Sequence, residues 1–515
     1  MDVDDAEDQH EGSYQRSLSP TSYLARAEAR RGAMKPSSSL INAKAYSIEP
    51  VAALPHASHA HAMCLSGDGT VLLTGGSDGH VRRYDVYATM NGKSMLTVGA
   101  RHGFVEGITR GGVLAAWWAN EEHPAVKAED DAFDERLVSA VHSLAIQKDA
   151  LWSLSGTESG NINLTTVRHD PGTTHHVLRK HKGPVSALAL TNGDAELVSG
   201  GWDTGVHQWD LNTGQVVRSY PGHAGQISSL SFRPLNRGES SSRHTSPVEG
   251  GDDADAEGEQ DDDDDDQPLS RLAKGLEGEA SGNNAISGNA TAGINLPDTT
   301  HFSNDLLLTT TLGGQAILWD RRVPASEAGG SGAGSSGGIR ALPLPANTPP
   351  WCASAAWAPD GERIYLGRRN ESVEEWDMRM LSSRSGSGSD SSADALGSTW
   401  RGKRGNMGLV RTFKFPSGSG PVTSLEVMPN GRHLVCASFD NIRLWNLSLS
   451  TSTSSSSTSS SSHIPFRIVP GHQGGTVSAL LLDSTGRFLF SASGDRAWRS
   501  RGTEMVLGHE VRASG

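Results

Sequence analysis

The chain has 515 residues, is 35% hydrophobic and contains 60 glycines, too polar a composition for one continuous globular body, so part of its length is expected to be linker. Its net charge of −14 is localised: residues 236–300 hold sixteen acidic against four basic side chains, and the remainder is near neutral, without the broad basic face that drives nucleic-acid affinity. Cys64, Cys352 and Cys436 form no C-x-x-C pair, the opening MDVDDAEDQH is acidic, and no apolar run could span a bilayer, which argues against a disulfide scaffold, a zinc ribbon, a signal peptide and a membrane protein.

In chain order, residues 1–42 read as a disordered tail. AYSIEPVAAL (45–54) is an alternating strand. The stretch 60–85 then carries an alternating strand, LLTGGSD, an Asp-Gly turn and VRRYD. The same unit returns as VHSLAI with LWSLSGTESGNINLT (141–165), where Leu164 and Thr165 stand in the aromatic-Asp positions. It returns again as VSALAL with LVSGGWDTGVHQWD (185–210), as ISSLSF with LLTTTLGGQAILWD, as a unit ending VEEWD (373–377), and as VTSLEV with LVCASFDNIRLWN. The last copy, VSALLL with RFLFSASGD and TEMVLGHEV, puts His509 and Glu510 where Trp-Asp would be. Strand, tight turn, strand, Asp-Gly turn, strand with Trp-Asp is the WD-repeat unit, and tandem units close into a β-propeller. The expectation is an all-β, seven-bladed WD-repeat propeller over 43–515. Its seventh blade ends at a third strand, and 45–54 supplies the fourth, closing the ring without an exposed edge.

Long inserts interrupt the repeats at 237–300, 322–347, 380–408 and 447–463. They are acidic, Gly/Ser-rich or poly-Ser, compositions that cannot bury a core. The acidic insert falls between the first and second strands of the fourth blade, and the other three between third and fourth strands. Both kinds of connection open on one face of a propeller, leaving the other face compact.

One blade carries a complete buried polar tetrad at the repeat's spacing, His181, Ser199, Asp203 and Trp209, in which Asp accepts from His while Ser and the indole N–H complete the chain. Others keep fragments: Thr74, Asp78 and Tyr84 in the first blade, and Trp319, Trp376 and Trp445 further on. On the compact face the exception to short turns is expected to be the segment 101–136, joining the first two blades. Its pair Trp117-Trp118 reads either as packing of an extra hairpin or as an aromatic anchor for a protein partner.

AYSIEPVAALPH, LLTGGSDGHVRRYDV, RHGFVEGITRGGVLAAWW and the ending RGTEMVLGHEV together resemble a fungal family, the WD-repeat subunits of the SAGA coactivator (the suppressor-of-Ty-eight family). The resemblance covers residue 43 to the C-terminus apart from the inserts. It implies a nuclear, non-enzymatic subunit that contacts the TATA-box-binding protein and regulates its delivery to promoters. Arg101, His102, Phe104, Glu106, Trp117 and Trp118 are the candidate partner-binding residues. Asp261 to Asp266 could dock electrostatically on a basic partner, although such runs are commonly solvated tails.

Other signals carry less. Gly75-Gly-Ser-Asp-Gly79 fits a nucleophile pattern but lacks the strand-to-helix elbow. His175 and His176 are adjacent on a strand and point to opposite faces, a poor chelating geometry. Arg401, Lys403 and Arg404 form a short basic patch. No catalytic residue, metal, cofactor, membrane partner or sequence-specific DNA binding is expected. Trp319-Asp-Arg-Arg322 and Trp376-Asp-Met-Arg379 resemble substrate receptors of cullin-RING ubiquitin ligases, in which the arginine docks an adaptor. A generic WD-repeat scaffold is a further alternative.

Overall fold

Segments that alternate in the sequence fold as short antiparallel strands, because the pleat turns successive side chains to opposite faces and each blade is covered on both. The computed structural model describes residues 34–92, 94–96, 107–123, 137–191, 193–234, 305–322, 339–345, 348–381, 408–449, 465–472, 476–494 and 504–514. The strands form seven sheets. Counted from the inside of the ring outwards, blade 1 is Ala60–Leu65, Val71–Gly76, His80–Asp85 and Val113–Ala119. Blade 2 is Leu144–Ile146, Trp152–Gly156, Asn161–Thr166 and Thr174–Arg179, and blade 3 is Val185–Leu190, Glu196–Gly201, Val206–Asp210 and Gln215–Ser219. Blade 4 is Ile227–Phe232, Leu306–Thr311, Ala316–Asp320 and Ile339–Leu342; blade 5 is Ser354–Trp357, Arg363–Gly367, Ser372–Asp377 and Leu409–Lys414. Blade 6 is Ser424–Val427, His433–Ala437, Ile442–Asn446 and Phe466–Val469. Among the described residues two short α-helices, Ser38–Ile41 and Val86–Asn91, are added to this all-β ring.

Blade 7 joins the two ends of the chain. Val477–Leu482, Phe488–Ser493 and Met505–Ser514 are its first three strands, and Ala45–Pro55 is the fourth. That pairing runs antiparallel from Ala45↔Ser514 to Pro55↔Met505, with one bulge between Pro50 and Ala52. A fifth strand, Arg110–Gly111, adds in parallel on Ala52 and Ala53. The chain then crosses directly into the outer strand of blade 1, so residues 110–119 staple blade 7 to blade 1. Gly112 sits at the crossing, where its N–H donates to Ala53 O (2.9 Å) and a Cβ would lie 2.5 Å from Leu54 Cγ. Only glycine fits there without displacing the closing strand.

Hydroxyl groups near the start of the first strands stitch neighbouring blades. Ser143 donates to Val185 O (2.7 Å), Ser186 to Ile227 O (2.6 Å), Ser228 to Cys352 O (2.6 Å), Thr423 to Val477 O (2.5 Å) and Ser478 to Ala60 O (2.5 Å). This accounts for the recurrent small hydroxyl residue in VSALAL, ISSLSF, VTSLEV and VSALLL: each satisfies a buried carbonyl on the next blade. Apolar residues fill the spaces between sheets. Tyr365 and Val373 of blade 5, for example, pack in one cluster with Leu425, Leu434 and Trp445 of blade 6.

Two expectations change. Ile339–Leu342 is a strand and Ser38–Ile41 a helical turn capped by Ser37, so ordered elements reach into the expected insert 322–347 and the expected tail 1–42. The short IRAL run is masked by the Gly/Ser composition around it. The segment 101–136 also does more than join blades 1 and 2 on the compact face. Val113–Ala119 within it is the outer strand of blade 1, and the connection before it, between third and fourth strands, opens on the same face as the inserts.

Candidate functional site

The buried polar centres of the blades come first, because they decide which polar residues are spent on the fold. In blade 3, His181 Nδ1 is 3.0 Å from Asp203, His181 Nε2 is 2.8 Å from Ser199 Oγ, and Trp209 Nε1 donates to the same Oγ at 2.8 Å. Burial lowers the His181 pKa against the pull of Asp203, so the ring is neutral and bridges the two. Blades 4, 1 and 7 keep the position of this hydroxyl and change its partners. In blade 4, Thr309 receives Trp319 Nε1 (3.0 Å) and meets His223 (2.9 Å), while Gly313 follows where an Asp would stand. In blade 1, Thr74 meets His56 Nε2 (3.0 Å), Tyr84 replaces Trp, and Asp78 turns to the Arg82 guanidinium. In blade 7, Ser491 bridges His472 and His509, each at 2.8 Å, so His509 does take the Trp position.

Three centres depart further. Blade 2 uses Asn120, whose Oδ1 accepts from Ser155 (2.8 Å) and Asn163 (3.0 Å). Blade 5 replaces the hydroxyl with a carboxylate: Trp376 Nε1 donates to Glu374 Oε2 (3.0 Å), which also takes Arg368 Nη2 (2.8 Å). In blade 6 the buried Cys436 stands in the Ser position and Trp445 packs instead among Phe413, Phe415 and Phe466. Of these, His56, Asn120 and the Arg368–Glu374 pair were not singled out from sequence. The His signal was available, since His56–Thr74 and His181–Ser199 share a separation of 18 residues. Nothing local announces Asn120, which comes from the turn leaving blade 1. Ser199→Ala removes the hydroxyl that donates to His181 Nε2 and accepts from the Trp209 indole, and is expected to cost about 2 kcal/mol, read as a shift in the urea midpoint without a change in slope.

The candidate partner residues separate sharply. Arg101, His102, Phe104 and Glu106 lie outside the described residues. Trp117 and Trp118 are consecutive on the outer strand of blade 1, opposite Arg82 and Val81, and therefore face opposite sides. Trp118 is 6% exposed and packs in the core with Val81, Val141 and Val167; a Cβ on Gly172 would approach its Cβ to 2.6 Å. Trp117 is 63% exposed, with His80 against one side of its ring at 5.3 Å. Leu114 on the same strand and Tyr87 on the helix Val86–Asn91 are also exposed. Trp118→Ala is expected to cost about 3 kcal/mol, and Trp117→Ala under about 0.5 kcal/mol, by chemical denaturation.

The two W-D-x-R arginines fold back on their own repeats. Arg322 makes a two-pronged contact with Asp320 (3.0 and 2.6 Å), and Arg379 does the same with Asp377 (3.1 and 2.8 Å) and also reaches Glu362 (3.2 Å). Asp261 to Asp266, Arg401, Lys403 and Arg404 lie outside the described residues. Among the described residues no group of three or more His, Cys, Asp or Glu side chains could hold a metal ion.

Comparison with known proteins extends this picture. The SPT8 β-propeller family model matches residues 46–392 and 405–512. SAGA complex subunit Spt8 of Schizosaccharomyces pombe is 34% identical over 484 residues, covering 91% of this chain and 80% of the relative. SAGA complex subunit SPT8 of Saccharomyces cerevisiae is 33% identical over 480 residues, covering 91% and 73%. A serine-threonine kinase receptor-associated protein of Gallus gallus is 26% identical over 176 residues, covering 32% and 47%. A ring of seven blades closed by its N-terminal strand, matched by the family model on both sides of one gap, places the chain in the SPT8 β-propeller family.

Proposed function

We propose that the chain is a non-enzymatic subunit of a SAGA-type coactivator in the nucleus, a rigid propeller that binds the TATA-box-binding protein and regulates its delivery to promoters. The observation that carries this reading is the match along 91% of the chain to two SAGA subunits, alongside a family-model match that takes in the blades and the stapling segment. The geometry supports a binding role. In most blades the polar centre is consumed by blade architecture, and among the exposed side chains of blade 1 and its adjoining helix are Leu114, Trp117 and Tyr87. Trp is among the residue types most enriched at protein-binding hot spots.

The test is purification of the tagged protein from nuclei at moderate salt, with companions identified by mass spectrometry. SAGA subunits and the TATA-box-binding protein are expected to co-purify, and Trp117→Ala is expected to reduce the latter selectively. Retention of the TATA-box-binding protein by Trp117→Ala would remove that residue from the contact. Recovery of a cullin adaptor in place of SAGA subunits would overturn the function itself.

A further inference from the structure

We propose that the groove between blades 2 and 3, bounded by the open outer edge of Thr174–Arg179, docks an extended acidic segment of a partner protein. The groove has a volume of about 370 Å³, with His176, Arg179 and Lys180 on one wall and Trp209, Gly214 and Gln215 on the other.

Charge selects the partner. Residues 168–182 hold four Lys or Arg against Asp170 alone, in a chain whose net charge is −14. His175, His176, Arg179, Lys180 and Lys182 are all exposed. Arg168 is paired with Asp68 (3.8 Å), whereas among the described residues no carboxylate forms an ion pair with Arg179, Lys180 or Lys182. Arg179, Lys180 and Lys182 therefore present positive charge to an incoming acidic chain.

Backbone geometry selects an extended peptide. Thr174–Arg179 pairs on its inner side with Asn161–Thr166 and is the terminal strand of its sheet. Its outer N–H and C=O groups recur at every second residue, about 6.6 Å apart; another strand pairs with both, whereas a phosphate backbone has no N–H to complete the ladder. The molecule itself shows this mode of addition, since Arg110–Gly111 adds as a fifth strand to the outer strand of blade 7. Basic side chains on such an edge repel a second copy of it and admit a strand of opposite charge.

The test uses the full chain and three labelled probes in fluorescence anisotropy: a ten-residue peptide alternating Glu and Val, the same peptide N-methylated at alternate residues, and a DNA duplex of equal charge. The Glu-Val peptide is expected to bind, to weaken about fivefold between 50 and 300 mM salt, and to lose about tenfold in affinity on Lys180→Glu with Lys182→Glu. Both lysines are exposed, and an unchanged melting temperature in the variant separates lost binding from lost fold. The N-methylated peptide is expected to bind at least about tenfold more weakly, because it cannot complete the strand ladder. No binding of the Glu-Val peptide, indifference to the charge reversals, or equal binding of the N-methylated peptide overturns the proposal. Tighter binding of the duplex than of the peptide, sensitive to the same reversals, overturns it in favour of nucleic acid.

Discussion

Between pH 7 and pH 5 the folded ring is expected to lose about 5 kcal/mol of stability, with the loss beginning near pH 6.5. The cause is a set of histidines that architecture keeps neutral. Burial holds His56, His223 and His472 down to about 4 and His509 to about 3. Each is nearly inaccessible to solvent. The unfolded chain binds protons at these sites from about pH 6.5 downwards, while the folded chain does not until near pH 4. The stabilisation is therefore whole above pH 6.5 and is lost as pH falls towards the folded values. At pH 5 each site has lost about 2 kcal/mol, or about 8 kcal/mol for the four. Glu426 works in the opposite direction. Burial raises it to about 8, so the folded state holds a proton that the unfolded chain releases above about pH 4.5, and acidification restores that difference. Part of its surface stays exposed, so it offsets at most about 3 kcal/mol.

Chemical denaturation at pH 7.5, 6.5, 5.5 and 5.0 reads this directly, since a loss of this size rivals the whole stability of many domains. A flat profile would contradict neutral buried histidines. His472 and His509 share Ser491 and titrate as a pair, so His509→Gln is expected to flatten the profile by about one proton.

Glu374→Ala is expected to cost about 4 kcal/mol, because it strands the Arg368 guanidinium. Both side chains are 1% exposed, and burial lowers the Arg368 pKa while the Glu374 carboxylate raises it, with the net shift upwards. Glu374 is also the acceptor for the Trp376 indole, and Arg368 reaches across to Gly314 O of blade 4 at 2.8 Å. One substitution thus leaves a buried cation, a buried indole N–H and a weakened blade junction. Replacing both members, Arg368→Met with Glu374→Leu, removes the charge that would be stranded and is expected to cost less than Glu374→Ala alone. Urea denaturation of Arg368→Met, Glu374→Leu and the double variant gives the coupling energy. A double variant as unstable as the sum of the singles would show that the pair acts through packing and not through charge.

The repeat was legible because its information is local. Alternation, Asp-Gly turns and the aromatic-Asp ending specify strand, turn and strand within each unit, and VSALLL with FLFSAS is recognisable without its neighbours. Even ring closure was within reach, since a three-stranded last unit and an unassigned strand at 45–54 have one complementary solution. The tetrad of blade 3 was legible for the same reason, its members lying at fixed separations within one unit.

The site was legible only in part. Trp117 and Trp118 look equivalent in a line of sequence, yet one is an exposed surface residue and the other fills the space between blades 1 and 2 against Val167 and Gly172. Arg322 and Arg379 look like free docking groups until their own aspartates are seen to hold them. Blade 5 gives no local sign that Arg368 and Glu374 will be buried together.

By itself the amino-acid sequence determined the repeat, the number of blades, the strand that closes the ring, the acidic character of one insert and the family. Tertiary structure alone decided that residues 110–119 staple blade 7 to blade 1, which of two tryptophans remains exposed, which histidines are forced neutral, and that the basic edge of blade 2 opens on a groove. The physical reason is the range of the interactions. Strand and turn formation answer to residues a few positions away, whereas burial, charge pairing and edge exposure depend on which distant blade packs alongside, as Ala45 does with Ser514 and Trp118 with Gly172.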